Sequence, residues 1–115
     1  MSLTTQIHDS GKAAVLSLGG KLVLGPSATS FREAVEEILK SGQQNIVVNA
    51  AELSYADSAG VGALALNFSK VKAAGGTLAV VAPQKTLVDL MDLTRLSSLI
   101  PVFGTEQEAV ASLAN

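Results

Sequence analysis

The chain reads as an α/β domain built on a mostly parallel sheet that is entered through an antiparallel hairpin. Three observations predict it. Short aliphatic and β-branched runs alternate with stretches whose apolar residues recur every three or four positions, in the order strand, strand, helix, strand, helix, strand, helix, strand, helix. The first two runs are separated by a turn cluster alone, Asp9-Ser10-Gly11-Lys12, which suits an antiparallel hairpin, whereas each later strand is followed by a helix, as parallel crossovers require. The 115 residues, 48% of them apolar, suffice for one buried core and leave no room for an interdomain linker, so a single domain is expected over residues 1–115.

Leu3, Thr5 and Ile7 alternate with polar neighbours, as a half-buried edge strand would, and the apolar run over 13–18 supplies its hairpin partner before Gly19-Gly20 bends the chain. Gly25-Pro26-Ser27 then opens a helix, proline being suited to a first turn and Ser27 to a cap. Its stripe is Phe31, Ala34, Val35, Ile38 and Leu39; Arg32, Glu33, Glu36, Glu37 and Lys40 fall mostly off it and read as a solvated face, and Ser41-Gly42 ends it. The β-branched run over 45–50 is a buried strand. The helix after it carries Val61, Leu64, Ala65, Phe68 and Val71 on one face and stops at Gly75-Gly76. Residues 77–81 read as the next buried strand and Pro83 as its interruption. Leu87, Val88, Leu90, Met91 and Leu93 belong to a third helix, with Met91 as core filler. Residues 99–103 suggest a final strand that Pro101 places at a sheet edge. Thr105 and Glu108 have capping-box spacing for a last helix carrying Ala109, Val110 and Leu113.

The chemically distinctive stretch is the strand-to-helix turn Tyr55-Ala56-Asp57-Ser58-Ala59-Gly60-Val61-Gly62. Ser58 stands where a helix takes its N-cap, and a serine oxygen there accepts a bond from a backbone N–H one turn in. Its short neighbours Ala59 and Gly60 also leave its hydroxyl little shielded, so a kinase could reach it. A phosphate would add about −1.5 to −2 charges at a helix N-terminus, where the macrodipole tolerates an anion. Such a position suits a switch.

The run Asp57-Ser58-Ala59-Gly60-Val61-Gly62, after an apolar strand and before an apolar-faced helix, resembles the signature of the STAS domain, in particular that of the bacterial anti-sigma factor antagonists. The resemblance runs nearly end to end. Gly20-Lys21-Leu22-Val23-Leu24-Gly25 resembles the family's turn before its first helix, Ile46 to Asn49 its central strand, and Gly75-Gly76-Thr77-Leu78 its next helix-to-strand junction. It implies a STAS-like fold, with about four helices mainly covering one face of a mixed, mostly parallel sheet. It also implies phosphorylation of Ser58 by a partner that is both anti-sigma factor and serine kinase, with a serine phosphatase as the reset. The unmodified form would sequester that partner and release a sigma factor, so regulating transcription. The implied contact surface is Asp57, Ser58, Ala59, Gly60, Val61 and Gly62 with Val23, Leu24 and Gly25. The chain departs from the family where Val23 and Asn49 stand in place of acids that many antagonists carry, which thins the acidic surface and bears on partner choice. The same resemblance accommodates an accessory subunit of a lipid-transport ABC complex, or a component of a stress-signalling assembly.

Composition excludes several other classes. A net charge of −2 and a pI near 5.2 give no basic footprint for nucleic acid or an anionic membrane. Cysteine is absent, so there is no disulfide frame, thiol nucleophile or thiolate metal site. His8, the sole histidine, reads as solvated, and neither a metal nor a cofactor is expected. An enzyme is not expected either: no base is placed for Ser58, the turn is not a Gly-x-Ser-x-Gly elbow, and Lys70 and Lys72 lie far along the helix. Gly60-Val61-Gly62-Ala63-Leu64-Ala65 matches a loose dinucleotide pattern, but the next strand ends in Val81-Ala82-Pro83 with no acid to hold a ribose. Gly60 and Gly62 are expected instead to permit a tight helix start and close packing. The N-terminus lacks the basic and apolar regions of a signal peptide, and no stretch nears the roughly 18 apolar residues of a membrane span, so a cytoplasmic location is expected, with self-association left open.

Overall fold

The computed structural model describes residues 3–113. Residues 1, 2, 114 and 115, part of the expected domain and, at the N-terminus, of the signal-peptide reading, lie outside them. The elements are β1 (Leu3–Asp9), β2 (Ala14–Leu22), α1 (Pro26–Lys40), β3 (Asn45–Ala56), α2 (Ser58–Ala73), β4 (Thr77–Val81), α3 (Lys85–Leu93), a short 3-10 turn (Leu96–Ser98), β5 (Val102–Phe103) and α4 (Glu106–Leu113). They form a five-stranded sheet in the order β1-β2-β3-β4-β5, antiparallel between β1 and β2 and parallel thereafter. Strand and helix alternation therefore yields the mixed sheet that the sequence predicts.

Three helices cover one face. Phe31, Val35 and Ile38 of α1, Val61, Leu64 and Val71 of α2, and Leu87 and Met91 of α3 pack on Leu16, Leu18, Ile46, Val48, Leu78 and Val80. Burying a large aliphatic side chain contributes about 1.5–3 kcal/mol, so these stripes dominate the stability of the layer. On the reverse face α4, alone among the described helices, sets Ala109 against Val15, Val47 and Val81. Thr105 caps α4 as the spacing predicts, its Oγ1 accepting from the Glu108 N–H at 3.2 Å. No described helix is long and apolar enough to cross a membrane.

Several expectations change in detail. Gly19-Gly20 does not end the second strand: β2 continues to Leu22, shifts its pairing with β3 on either side of these glycines, and holds Gly20 at φ +91°. Residues 52–56 pair with this extension, which is why β3 runs six residues beyond the β-branched run, from 51 to 56. Ser27 does not cap α1. Gly25 occupies that position at φ +104°, and Ser27 is buried as the second helical residue, where its hydroxyl meets both backbone groups of Val23. β1 is more exposed than half-buried, only Leu3 being intermediate, because it is the outermost strand. The last strand shrinks to Val102–Phe103, since Pro101 lacks an N–H; its carbonyl still accepts from Val80 at 2.9 Å. Leu93 ends the third helix as its place in the apolar run predicts, but is 79% exposed there.

Candidate functional site: the start of the second helix

Two chain segments far apart in sequence meet where β2 and β3 end side by side, with Leu22 paired to Ala56. The Asp57 N–H donates to the Leu22 carbonyl at 3.3 Å, and α2 then begins directly above that carbonyl. Space there is minimal: a Cβ added to Gly60 would lie 2.0 Å from the Leu22 oxygen. Glycine is thus a steric requirement of the turn, since any larger residue would drive helix and strand apart. Gly62 differs from expectation. Nothing lies within 4 Å of its added Cβ, so it serves neither the tight start nor close packing.

Asp57, not Ser58, caps the helix. One carboxylate oxygen accepts from the Gly60 N–H at 2.8 Å, and the other accepts from the Leu24 N–H at 3.3 Å. A single side chain thus closes the helix end and ties it to the β2–α1 turn. Ser27 holds the same turn from below, its Oγ donating to the Val23 carbonyl and accepting from the Val23 N–H, both at 2.8 Å. Because aspartate takes the cap, Ser58 becomes the first helical residue, exposed and with its hydroxyl outside the cap. Aspartate and serine cap about equally well, and the Leu24 contact tips the choice to the residue that can also reach across.

Of the nine residues expected to form a contact surface, Ser58, Gly62, Leu24 and Gly25 are exposed, Asp57, Ala59 and Val23 are half-buried, and Gly60 and Val61 face inward. The fold brings the two groups together through Asp57 and Leu24. Composition alone did not point to the apolar character of this surface. Leu24 is 78% exposed and Leu66 73%, and Tyr55, two residues before Asp57, is half-exposed. Ser58, Gly62 and Leu66 follow one another at four-residue steps and so share the outer side of α2. The signal was present in the spacing: Leu66 is the apolar residue that falls off the Val61–Leu64–Val71 stripe. Behind it, a groove of about 370 Å³ runs between α1 and α2, lined among others by Ala28, Arg32, Ala63, Leu66 and Lys70.

Lys70 Nζ meets Glu36 Oε2 at 2.7 Å across that groove, and Arg32 Nη1 lies 3.4 Å from the same oxygen. The Lys70 hydrogen bond holds the Glu36 carboxyl below its ordinary value, against a desolvation that pushes it up, and the charges of Lys70 and Arg32 add to the lowering. Lys70 is thus occupied in bridging two helices. Asn49 also lies away from Ser58. It sits eight residues of strand before Asp57, its Nδ2 donating to Glu106 Oε2 at 2.6 Å and its Oδ1 accepting from the Ala51 N–H at 3.0 Å. An aspartate there would face Glu106 with like charge, so asparagine fits this chain. His8 is exposed, 3.5 Å from the other Glu106 oxygen. Among the described residues no cluster of three His, Asp or Glu side chains could hold a metal ion.

A family model described as "STAS domain" matches residues 4–109. A curated relative, the anti-sigma F factor antagonist of Paenibacillus polymyxa, is 23% identical over 113 residues, covering 98% of this chain and 97% of the relative. Among solved structures, an anti-sigma factor antagonist from Mycobacterium paratuberculosis superposes with a TM-score of 0.84 at 21% identity, over 98% of this chain and 95% of that one. The antagonist SpoIIAA in its unphosphorylated form gives 0.80 at 22% identity, over 96% of each chain. The Bacillus cell fate determinant SpoIIAA in the phosphorylated form gives 0.75 at 22% identity, over 96% and 99%. At these identities the superpositions establish the shared fold.

Proposed function

The chain belongs to the STAS domain family, and from that premise we propose that it is an anti-sigma factor antagonist switched by phosphorylation of Ser58. One observation carries this reading: Asp57 takes over the cap, which frees an exposed serine hydroxyl at the first position of α2. A helix that depended on that hydroxyl would be disturbed by its modification. Here the structural task is separate from the chemical one.

Unmodified, the surface of Ser58, Gly62 and Leu66 with the Leu24–Gly25 turn is small, apolar and uncharged apart from Asp57. It suits a partner that buries it: the anti-sigma factor, which is also the serine kinase, and whose capture releases a sigma factor. A phosphate on Ser58 adds about −1.5 to −2 charges beside the Asp57 carboxylate. The helix N-terminus tolerates the added anion, so the fold persists. The interface does not, because the new charge must be desolvated against apolar surface and set near a second negative group. A serine phosphatase restores the unmodified state. Support comes from the P. polymyxa relative and from the similar fold solved in both unphosphorylated and phosphorylated forms.

The test is intact-mass analysis after incubation with ATP and each candidate serine kinase from the source genome, with Ser58→Ala beside the wild type. Gain of one phosphate by the wild type alone, with loss of binding to that kinase, is the expected outcome. If no kinase modifies Ser58 and the folded domain instead captures a lipid-transporter subunit, the sigma-factor reading fails.

A further inference from the structure

The outer edge of the sheet is built unlike the Ser58 surface. β1 is the terminal strand, and among the described residues only β2 pairs with it. Its seven residues, Leu-Thr-Thr-Gln-Ile-His-Asp, contain neither the proline nor the lysine with which edge strands are commonly blunted. Leu3, Thr5, Ile7 and Asp9 lie opposite Gly20, Leu18, Leu16 and Ala14, so they share the helix-covered face, where α1 overhangs them. Two hollows of about 500 Å³ each follow this edge. Thr5, Ile7, Glu33, Ala34 and Glu37 line one, and Ile7, Asp9, Ala14, Glu37 and Ile38 line the other. Because they share Ile7 and Glu37, they form one trough with an acidic wall.

That wall is uncompensated. Glu36 and Glu106 have cationic or histidine neighbours within 4.0 Å, but among the described residues Asp9, Glu33 and Glu37 form no ion pair. Lys12 and Lys40, each three residues from Asp9 or Glu37, form none there either, and Arg32 beside Glu33 is engaged by Glu36. The spacing also matches a strand. Glu33 and Glu37 stand one helical turn apart, about 6 Å along α1, whereas alternate side chains of a β-strand repeat every ~6.7 Å.

We infer that the outer edge of β1 receives an extended peptide segment of a partner protein, with basic side chains at every second position, as a sixth strand. The backbone of β1 supplies the ladder, and Glu33, Glu37 and Asp9 receive the basic side chains, which as alternate residues of a strand all point to the helix-covered face. Charge selects this occupant over a second copy of the chain. A β1-to-β1 pairing would bring two sets of the same three carboxylates to one seam, and like charges across an interface are costly. The site is separate from Ser58, so it stands whether or not that serine is phosphorylated.

The test uses a fluorescent ten-residue peptide of alternating lysine and valine, titrated with the intact chain at low salt and followed by anisotropy. Binding is expected to weaken at least about tenfold in the double variant Glu33→Lys, Glu37→Lys, a peptide of alternating glutamate and valine then binding in its place. Both positions are exposed, so an unchanged circular dichroism melt controls for folding. Backbone N-methylation of the lysine–valine peptide should abolish binding, and hydrogen exchange of the β1 amides should slow in the complex. Absence of binding up to millimolar peptide, equal binding by the double variant or the N-methylated peptide, or protection of α2 instead of β1 would each overturn the inference. So would dimerisation of the chain through β1 that excludes the peptide.

Discussion

Gly60 and Gly62 stand two residues apart at the start of α2, yet a methyl group added to the first would lie 2.0 Å from the Leu22 carbonyl oxygen, whereas one added to the second would meet open space. The same contrast separates the two sides of the whole turn. On the inner side Asp57 bonds Gly60 and Leu24, Leu22 receives Asp57, and Val61 is buried, so each position is set by its neighbours. On the outer side Ser58, Gly62 and Leu66 make no such demands on the fold. A surface relieved of structural duty can change chemically while the domain stays folded, which is what a modification switch needs.

Substitutions break or sharpen this contrast in order of size. Gly60→Ala should be the most damaging, destabilising by about 3 kcal/mol in urea unfolding, because the methyl overlaps backbone and not a movable side chain. If it costs as little as a surface change, the close approach of α2 to Leu22 is wrong. Asp57→Ala should cost about 1–2 kcal/mol for the lost cap, while Ser58→Ala stays within about 0.5 kcal/mol. The reverse ranking would return the cap to Ser58. Gly62→Ala should stabilise by about 0.5–1 kcal/mol, since alanine favours the helix and meets nothing. A loss there would mean that the outer side is packed after all.

The smallest effect is pH-dependent and belongs to the bridge between α1 and α2. The Glu36 carboxyl is more acidic in the folded chain than in the unfolded one. Its contribution is therefore complete above its ordinary pKa and is lost as pH falls through the lower, folded value. Chemical denaturation of wild type and Glu36→Gln should differ most at about pH 6 and converge towards about pH 3. A gap that instead widens on acidification would show that Lys70 does not hold this carboxylate.

Strand and helix order was legible because it rests on apolar periodicity, a local property that burial enforces. Thr77–Val81 matches its apolar run, and Phe31, Ala34, Val35 and Ile38 are buried as their spacing predicts. The candidate serine was legible by resemblance, and the contact between its turn and Leu24 gives that grouping a physical link. Departures cluster where a second segment intervenes. Ser27 looked like a cap but is drawn inward by the Val23 backbone, and Gly19-Gly20 looked like a bend after the second strand but is carried through by pairing with β3.

The sequence by itself determined the elements, the core stripes and the place of the hydroxyl, since each depends on residues within a few positions of one another. Only the tertiary structure decided that Asp57 caps, that Gly60 is sterically required while Gly62 is not, and that the β1 edge carries an acidic trough. Those outcomes depend on Leu22, Leu24 and α1 arriving from elsewhere in the chain. Steric overlap and hydrogen bonding act over a few ångströms of space, and separation along the sequence does not measure that distance.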